Sequence, residues 1–227
     1  MKINIYGRIK LKIRLIKKIS MITFLLLAAA LISVFTNYRY KETFINTDRR
    51  LPIYCVDTKE KKVAMTFDVS LGDEYIEEIL NVLDKYNIKA TFFIVGDWID
   101  RNPDKLKQIH EKGHEIGNHS NRHPNMTKIS EEKIVEDINI NEAKIRNITT
   151  SGTKLFRCPE GAYNDKVINT VEKSGYYCIQ WDVDSIDWKE QGADIEYNRV
   201  IKNIKPGSIM LFHNTAKYTP ENLPKII

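Results

Sequence analysis

Only three cysteines, Cys55, Cys158 and Cys178, occur in 227 residues, and no two of them form a Cys-x-x-Cys pair. The missing spacing argues against a structural zinc knuckle or a dithiol redox motif, and the odd count leaves at least one thiol unpaired within the chain. All three read as small packing residues. Acidic residues are absent from the first 18 positions, where Lys2, Arg8, Lys10, Lys12, Arg14, Lys17 and Lys18 supply seven cations. Set aside, these seven turn a formal net charge of +5 slightly negative. The remainder lacks the basic surface that phosphate backbones require, so no nucleic-acid partner is expected. Hydrophobic residues at 42% and charged residues at 29% give neither the charge excess of a disordered chain nor the bias of a fibrous repeat. The length suits one catalytic-sized domain.

Charge of either sign is also missing from Ile19 to Tyr38, a run dominated by Ile, Leu, Ala, Val and Phe. Twenty residues at ~1.5 Å per residue cover the ~30 Å hydrocarbon core of a bilayer. Residues 1–18 then form a basic cytoplasmic tail, residues 19–38 a transmembrane anchor, and the rest is delivered outside by the positive-inside rule. A cleaved signal peptide is the alternative, with Ala28, Ala29 and Ala30 as a small-residue cleavage site. Continued apolar character through Leu31, Ile32, Val34 and Phe35 favours the anchor. The expected location is the cell membrane, single-pass, with the globular domain extracytoplasmic.

Residues 39–60, with Asp48, Arg49, Arg50 and Pro52, read as a polar linker to a domain over 61–227. Short apolar runs at 63–67, 90–95, 115–117, 155–157, 176–181 and 208–212 have the length of buried strands. Between them, helical periodicity covers 74–86, 103–112, 131–147, 165–174 and 194–204. Six strands alternating with helices predict an α/β fold with a parallel sheet, and barrel closure is a reasonable expectation. In such folds the functional groups collect just beyond the strand ends.

Those ends carry Thr66-Phe67-Asp68, then His119-Ser120-Asn121-Arg122-His123, then Arg157-Cys158-Pro159-Glu160-Gly161-Ala162-Tyr163. Trp181 to Trp188, with Asp182, Asp184 and Asp187, and Leu211-Phe212-His213 follow. The four-residue histidine spacing puts both imidazoles on one face if the segment is helical, within reach of one metal ion. His110 and His114 have the same spacing but lie on a helix and at a strand start, so they read as structural. In this order the five segments resemble those of the NodB-type polysaccharide deacetylases, carbohydrate esterase family 4. That family's motifs run Thr-Phe-Asp-Asp, His-(Ser/Thr)-x-x-His, Arg-x-Pro-x-Gly, Asp-x-x-Asp-Trp and Leu-x-His. The stretches Thr66 to Ser70 and Leu211 to Asn214 are most similar to the sporulation-associated PdaB-like branch.

The resemblance implies a distorted (β/α) barrel and metal-assisted removal of N-acetyl groups from a cell-wall polysaccharide, peptidoglycan amino sugars. By it, His119 and His123 bind a divalent metal, zinc being the expectation, and Asp68 is the base. Arg157 holds Asp68 ionised, and His213 is the acid with Asp187 behind it. Trp188 and Leu211 contact the acetyl methyl, Tyr163 the substrate, and the Glu160 backbone N–H the oxyanion. Individually, Trp188 and Leu211 read better as core, while Asp187 also reads as a helix cap, Arg157 as a surface ion pair and Asp68 as a turn residue.

Two departures from the pattern stand out. Val69 occupies the place of the third metal ligand and cannot bind metal, so the expected site is weak, or the protein is an inactive wall-polysaccharide binder. Asp73, the nearest carboxylate, reads either as a substitute ligand or as a helix N-cap. The family pattern also continues past the last strand with a helix and a further strand, which the sequence reading does not find before Ile227; their loss would open a seam beside the first strand.

Overall fold

The computed structural model describes residues 5–44 and 50–227; residues 1–4 of the basic tail and 45–49 of the linker lie outside the described residues. The chain divides into two units, Met1–Arg49 and Arg50–Ile227. In the first, helix α1 (Ile5–Phe44) contains Ile16–Val34, long and apolar enough to cross a membrane by length and composition.

The second unit is built on seven parallel strands: β1 (Ala64–Val69), β2 (Thr91–Ile94), β3 (Glu115–Asn118), β4 (Leu155–Phe156), β5 (Tyr177–Cys178), β6 (Val183–Asp184) and β7 (Ile209–His213), in the order β5-β4-β3-β2-β1-β7-β6. Helices α2 (Ile76–Lys85), α3 (Gly96–Arg101), α4 (Pro103–Glu111), α5 (Glu131–Thr149), α6 (Asp165–Lys173), α7 (Ala193–Asn203) and α8 (Thr219–Ile226) are interspersed with them, α3 and α4 both between β2 and β3 and none between β5 and β6. Parallel strands covered by helices are buried on both sides, and β1 is buried from Met65 to Val69. The Ile76, Ile79, Leu80 and Leu83 stripe of α2 meets Phe67, Phe92 and Phe212 in the main core. Helix starts follow local chemistry: Pro103 opens α4, and Asn164 caps α6 by accepting the Val167 N–H at 3.0 Å.

Two expectations about closure need correction. β1 lies in the middle of the sheet, between β2 and β7, so the seam is not beside it but between β5 and β6. A helix, α8, does follow β7. Its two prolines, Pro220 and Pro224, hid it by leaving too short a run for helical periodicity, but Leu223 is fully buried and joins the main core. The seam is strapped by residues read as linker. Ile53 donates its N–H to the Cys178 carbonyl (2.8 Å) and accepts from Gln180 N–H (2.7 Å), and Val56 N–H reaches the Gly207 carbonyl (2.8 Å). Gly207 has φ +83°, and a Cβ there would meet the Val56 carbonyl oxygen at 1.8 Å, so the strap needs glycine at that point.

Candidate active site

The carboxyl ends of the strands converge on a cleft of ≈ 470 Å³. β1 and β7 pair so that Asp68 is directly opposite His213, which fixes the expected base and acid on adjacent strands. Alternation along β1 turns Thr66 and Asp68 to one face and Phe67 to the other, and Val69 ends the strand.

Arg157 follows β4 and is fully buried, not a surface ion pair. Its Nη1 donates to Asp68 Oδ1 (2.8 Å) and Thr66 Oγ1 (2.9 Å), and Nη2 to the Gln180 carbonyl (3.1 Å). The guanidinium also lies 4.0 Å from the Phe93 ring centroid. Burial by itself would raise the Asp68 carboxyl, but Arg157, with His119 and His213, outweighs it and holds the group below the ordinary carboxylate value. Asp68 is thus an ionised, nearly buried carboxylate with one oxygen committed to Arg157 and the other toward the cleft.

The two histidines come together, but not on a helix. Residues 119–123 form a loop in which Ser120 (φ 70°) and His123 (φ 54°) are left-handed, and the imidazole centroids are 5.0 Å apart. The loop is held by Asp137 of α5, which accepts the Asn121 N–H (2.7 Å) and the Arg122 N–H (3.3 Å). Ser120 Oγ accepts the His123 N–H (2.9 Å). Gly96 lets this loop approach, since a Cβ would stand 2.3 Å from Asn121 Oδ1. His119 Nδ1–H donates to the Arg157 carbonyl at 2.9 Å; a carbonyl only accepts, so Nε2 carries the lone pair and faces Asp68 Oδ2 at 3.4 Å. Burial pushes the His119 imidazole down to about 4, keeping it neutral and ligand-competent at pH 7.

The donor set ends at those two imidazoles. Val69 is apolar and fully buried. Asp73 is exposed and neither lines the cleft nor caps α2, whose N-cap is Tyr75. Among the described residues no three His, Cys, Asp or Glu side chains come together to hold a metal, so a three-ligand zinc site is not formed. Val69→Asp is expected to change this measurably. Without metal, a carboxylate at a fully buried position lowers the melting temperature; added Zn²⁺ should raise it well above its effect on the parent chain, by ~2.7 kcal/mol of stability at 100 times Kd. Equal zinc responses in the two proteins, read by thermal unfolding, would count against position 69 as the missing ligand.

His213 Nδ1–H donates to Asp187 Oδ1 (2.7 Å), and the His213 backbone N–H donates to Oδ2 (2.7 Å). Burial would lower the imidazole, yet the Asp187 bond and charge, with Asp68 and Asp184, raise it above its ordinary 6.5. Asp187 is buried in a 3₁₀ turn, Asp187–Lys189. Leu211 is buried at the cleft while Trp188, 59% exposed, stands at its rim rather than in the core. Glu160 lines the cleft with a left-handed backbone (φ 59°), and its carboxylate accepts from Asn125 Nδ2 (2.9 Å). Tyr163 is outside the cleft lining, its hydroxyl 2.6 Å from that of Tyr54. Ser70, Trp181 and Asp184 also line the cleft; the sequence reading places them within motif segments but gives them no role, although the inward alternation of Thr66, Asp68 and Ser70 was an available signal for the first.

A family model described as polysaccharide deacetylase matches residues 56–179. A peptidoglycan-N-acetylglucosamine deacetylase of Bacillus cereus is 37% identical over 177 residues, 76% of this chain and 83% of that protein. The peptidoglycan-N-acetylmuramic acid deacetylase PdaA of Bacillus subtilis is 32% identical over 178 residues, 77% of this chain and 68% of its own length. Among solved structures, a CE4-family pseudoenzyme of Bacillus anthracis superposes with a TM-score of 0.75 at 36% identity, covering 78% of this chain and 62% of that one. The chain thus spans less than two thirds of that protein's length. Family model, relatives and the curled parallel sheet agree with one another, and the chain belongs to the polysaccharide deacetylase family, with the NodB-type fold of carbohydrate esterase family 4.

Proposed function

We propose that this protein hydrolyses the N-acetyl amide of peptidoglycan amino sugars, a non-peptide C–N bond, at the cell surface to which α1 anchors it. The observation that carries this reading is the register of β1 and β7, which sets the Asp68 carboxyl beside the His213 imidazole. Amide hydrolysis needs a base for the attacking water and an acid for the departing amine. Asp68 Oδ2 is the cleft-facing acceptor, and Arg157 keeps it unprotonated. His213 presents Nε2 as the donor because Asp187 binds Nδ1. Leu211 and Trp188 offer the acetyl methyl an apolar wall, and the Glu160 backbone N–H a donor to the oxyanion. A divalent metal, zinc by expectation, would supply Lewis acidity when bound, with His119 and His123 as its protein ligands. A role in sporulation is part of the same proposal, resting on the likeness of the first and last motifs to the PdaB-like branch.

A second reading is favoured by Val69 and by the kinship with a pseudoenzyme: a wall-saccharide binder without turnover. Purified full-length protein in detergent, given N-acetylated peptidoglycan and Zn²⁺, is expected to release acetate. Its rate should hold from the ordinary carboxylate range up past pH 6.5, then fall as His213 loses its proton at its raised pKa. Saccharide binding with no acetate at any pH would establish the binder instead.

A further inference from the structure

Behind the Asp187–His213 pair lies a buried polar layer that the deacetylase motifs do not include. Asp187 is saturated: Oδ1 accepts from His213 Nδ1–H (2.7 Å) and the Trp188 N–H (2.8 Å), and Oδ2 from the His213 N–H (2.7 Å) and Thr219 Oγ1 (3.1 Å). Thr219 opens α8 and is fully buried. Its Oγ1 is also 3.1 Å from Oε1 of Glu196, a residue of α7 that is 5% exposed.

A threonine hydroxyl has one hydrogen. It cannot donate to two carboxylates, and two ionised carboxylates sharing it would leave one oxygen facing a lone pair in a dry interior. One carboxyl must carry a proton. Asp187 has donors on every side and a cationic partner in His213, so the proton belongs on Glu196.

We propose that Glu196 is a neutral carboxylic acid which donates to Thr219 Oγ1, so that Thr219 donates to Asp187 Oδ2, and that these two positioning residues set the orientation and proton affinity of His213. Burial, with the two anionic groups facing Glu196, Asp187 from the 3₁₀ turn and Glu221 from α8, pushes its carboxyl up to about 7 against the lowering effect of hydrogen bonds with Asn222 and Thr219. Arg199, one turn along α7, is turned away to the Asp184 carbonyl (2.9 Å). The inference deepens the acid role given to His213 in the proposed function and rests on that reading for its effect on turnover.

The test uses the full chain and reads the layer without relying on turnover. Difference infrared spectra at pH 6, wild type against Glu196→Gln, are expected to contain a protonated-carboxyl band lost in the variant; no such band would overturn the assignment. In NMR titrations, Thr219→Val is expected to raise the His213 pKa by about half a unit, because Asp187 with one donor fewer attracts the imidazolium more strongly. Thr219→Ser, which keeps the hydroxyl, should restore the wild-type value. An unshifted His213 in folded Thr219→Val, or a Thr219→Ser protein that titrates like Thr219→Val, would overturn the relay. Should wild type release no acetate while the band and the shift are both present, the proposed reaction fails and this layer stands.

Discussion

Asp68→Asn is expected to lower acetate release by ~10²–10⁴-fold, the range typical of a lost general base. Asparagine keeps the shape and can still accept from Arg157, but it cannot take a proton from water. The geometry adds a second consequence that the sequence did not suggest. Among the described residues Asp68 is the only carboxylate bonded to Arg157, whose remaining partners are Thr66 Oγ1, the Gln180 carbonyl and the aromatic faces of Phe93 and Trp181. Neutralising Asp68 strands that cation, so the variant should also be less stable. Turnover is therefore to be compared below the melting temperature of the variant. A folded Asp68→Asn protein with wild-type turnover would remove Asp68 from the chemistry.

Arg157→Met is expected to be the most damaging single change to stability, about 3–5 kcal/mol, because it leaves the Asp68 carboxylate buried without its counter-charge. The loss should depend on its partner. In the double variant Asp68→Asn/Arg157→Met neither charge remains, and chemical denaturation should show a destabilisation well short of the sum of the two single changes. Additive losses would mean that the 2.8 Å contact contributes nothing specific. The pair also bears on pH: the Asp68 carboxyl is held below 3.8, so its contribution to stability is present above that value and is lost as acid reaches the lowered pKa.

The motif residues were legible because each lies at a strand end and its chemistry is carried by residue type: a carboxylate near the end of β1, imidazoles after β3 and at the end of β7, a guanidinium after β4. Strand and helix alternation was likewise readable, since burial on both faces of a parallel strand leaves an unbroken apolar run. What periodicity misses is an element too short, or too interrupted, to show its repeat. β6 has two residues, α3 has six, and α8 is interrupted by proline.

The sequence by itself determined the class of fold, the apolar stretch near the start, and which ionisable side chains stand near the strand ends. Tertiary structure alone decided how they are arranged. It turned the histidine segment into a left-handed loop held by Asp137, left Asp73 outside the cleft, and buried Arg157 against Asp68. It also closed the seam with Ile53 and Val56 and brought Glu196 and Thr219 behind Asp187. These contacts join residues up to 151 positions apart, as between Val56 and Gly207. No local pattern encodes such pairings, because they depend on strand register and on burial, which makes each unpaired polar atom costly enough to select its partner.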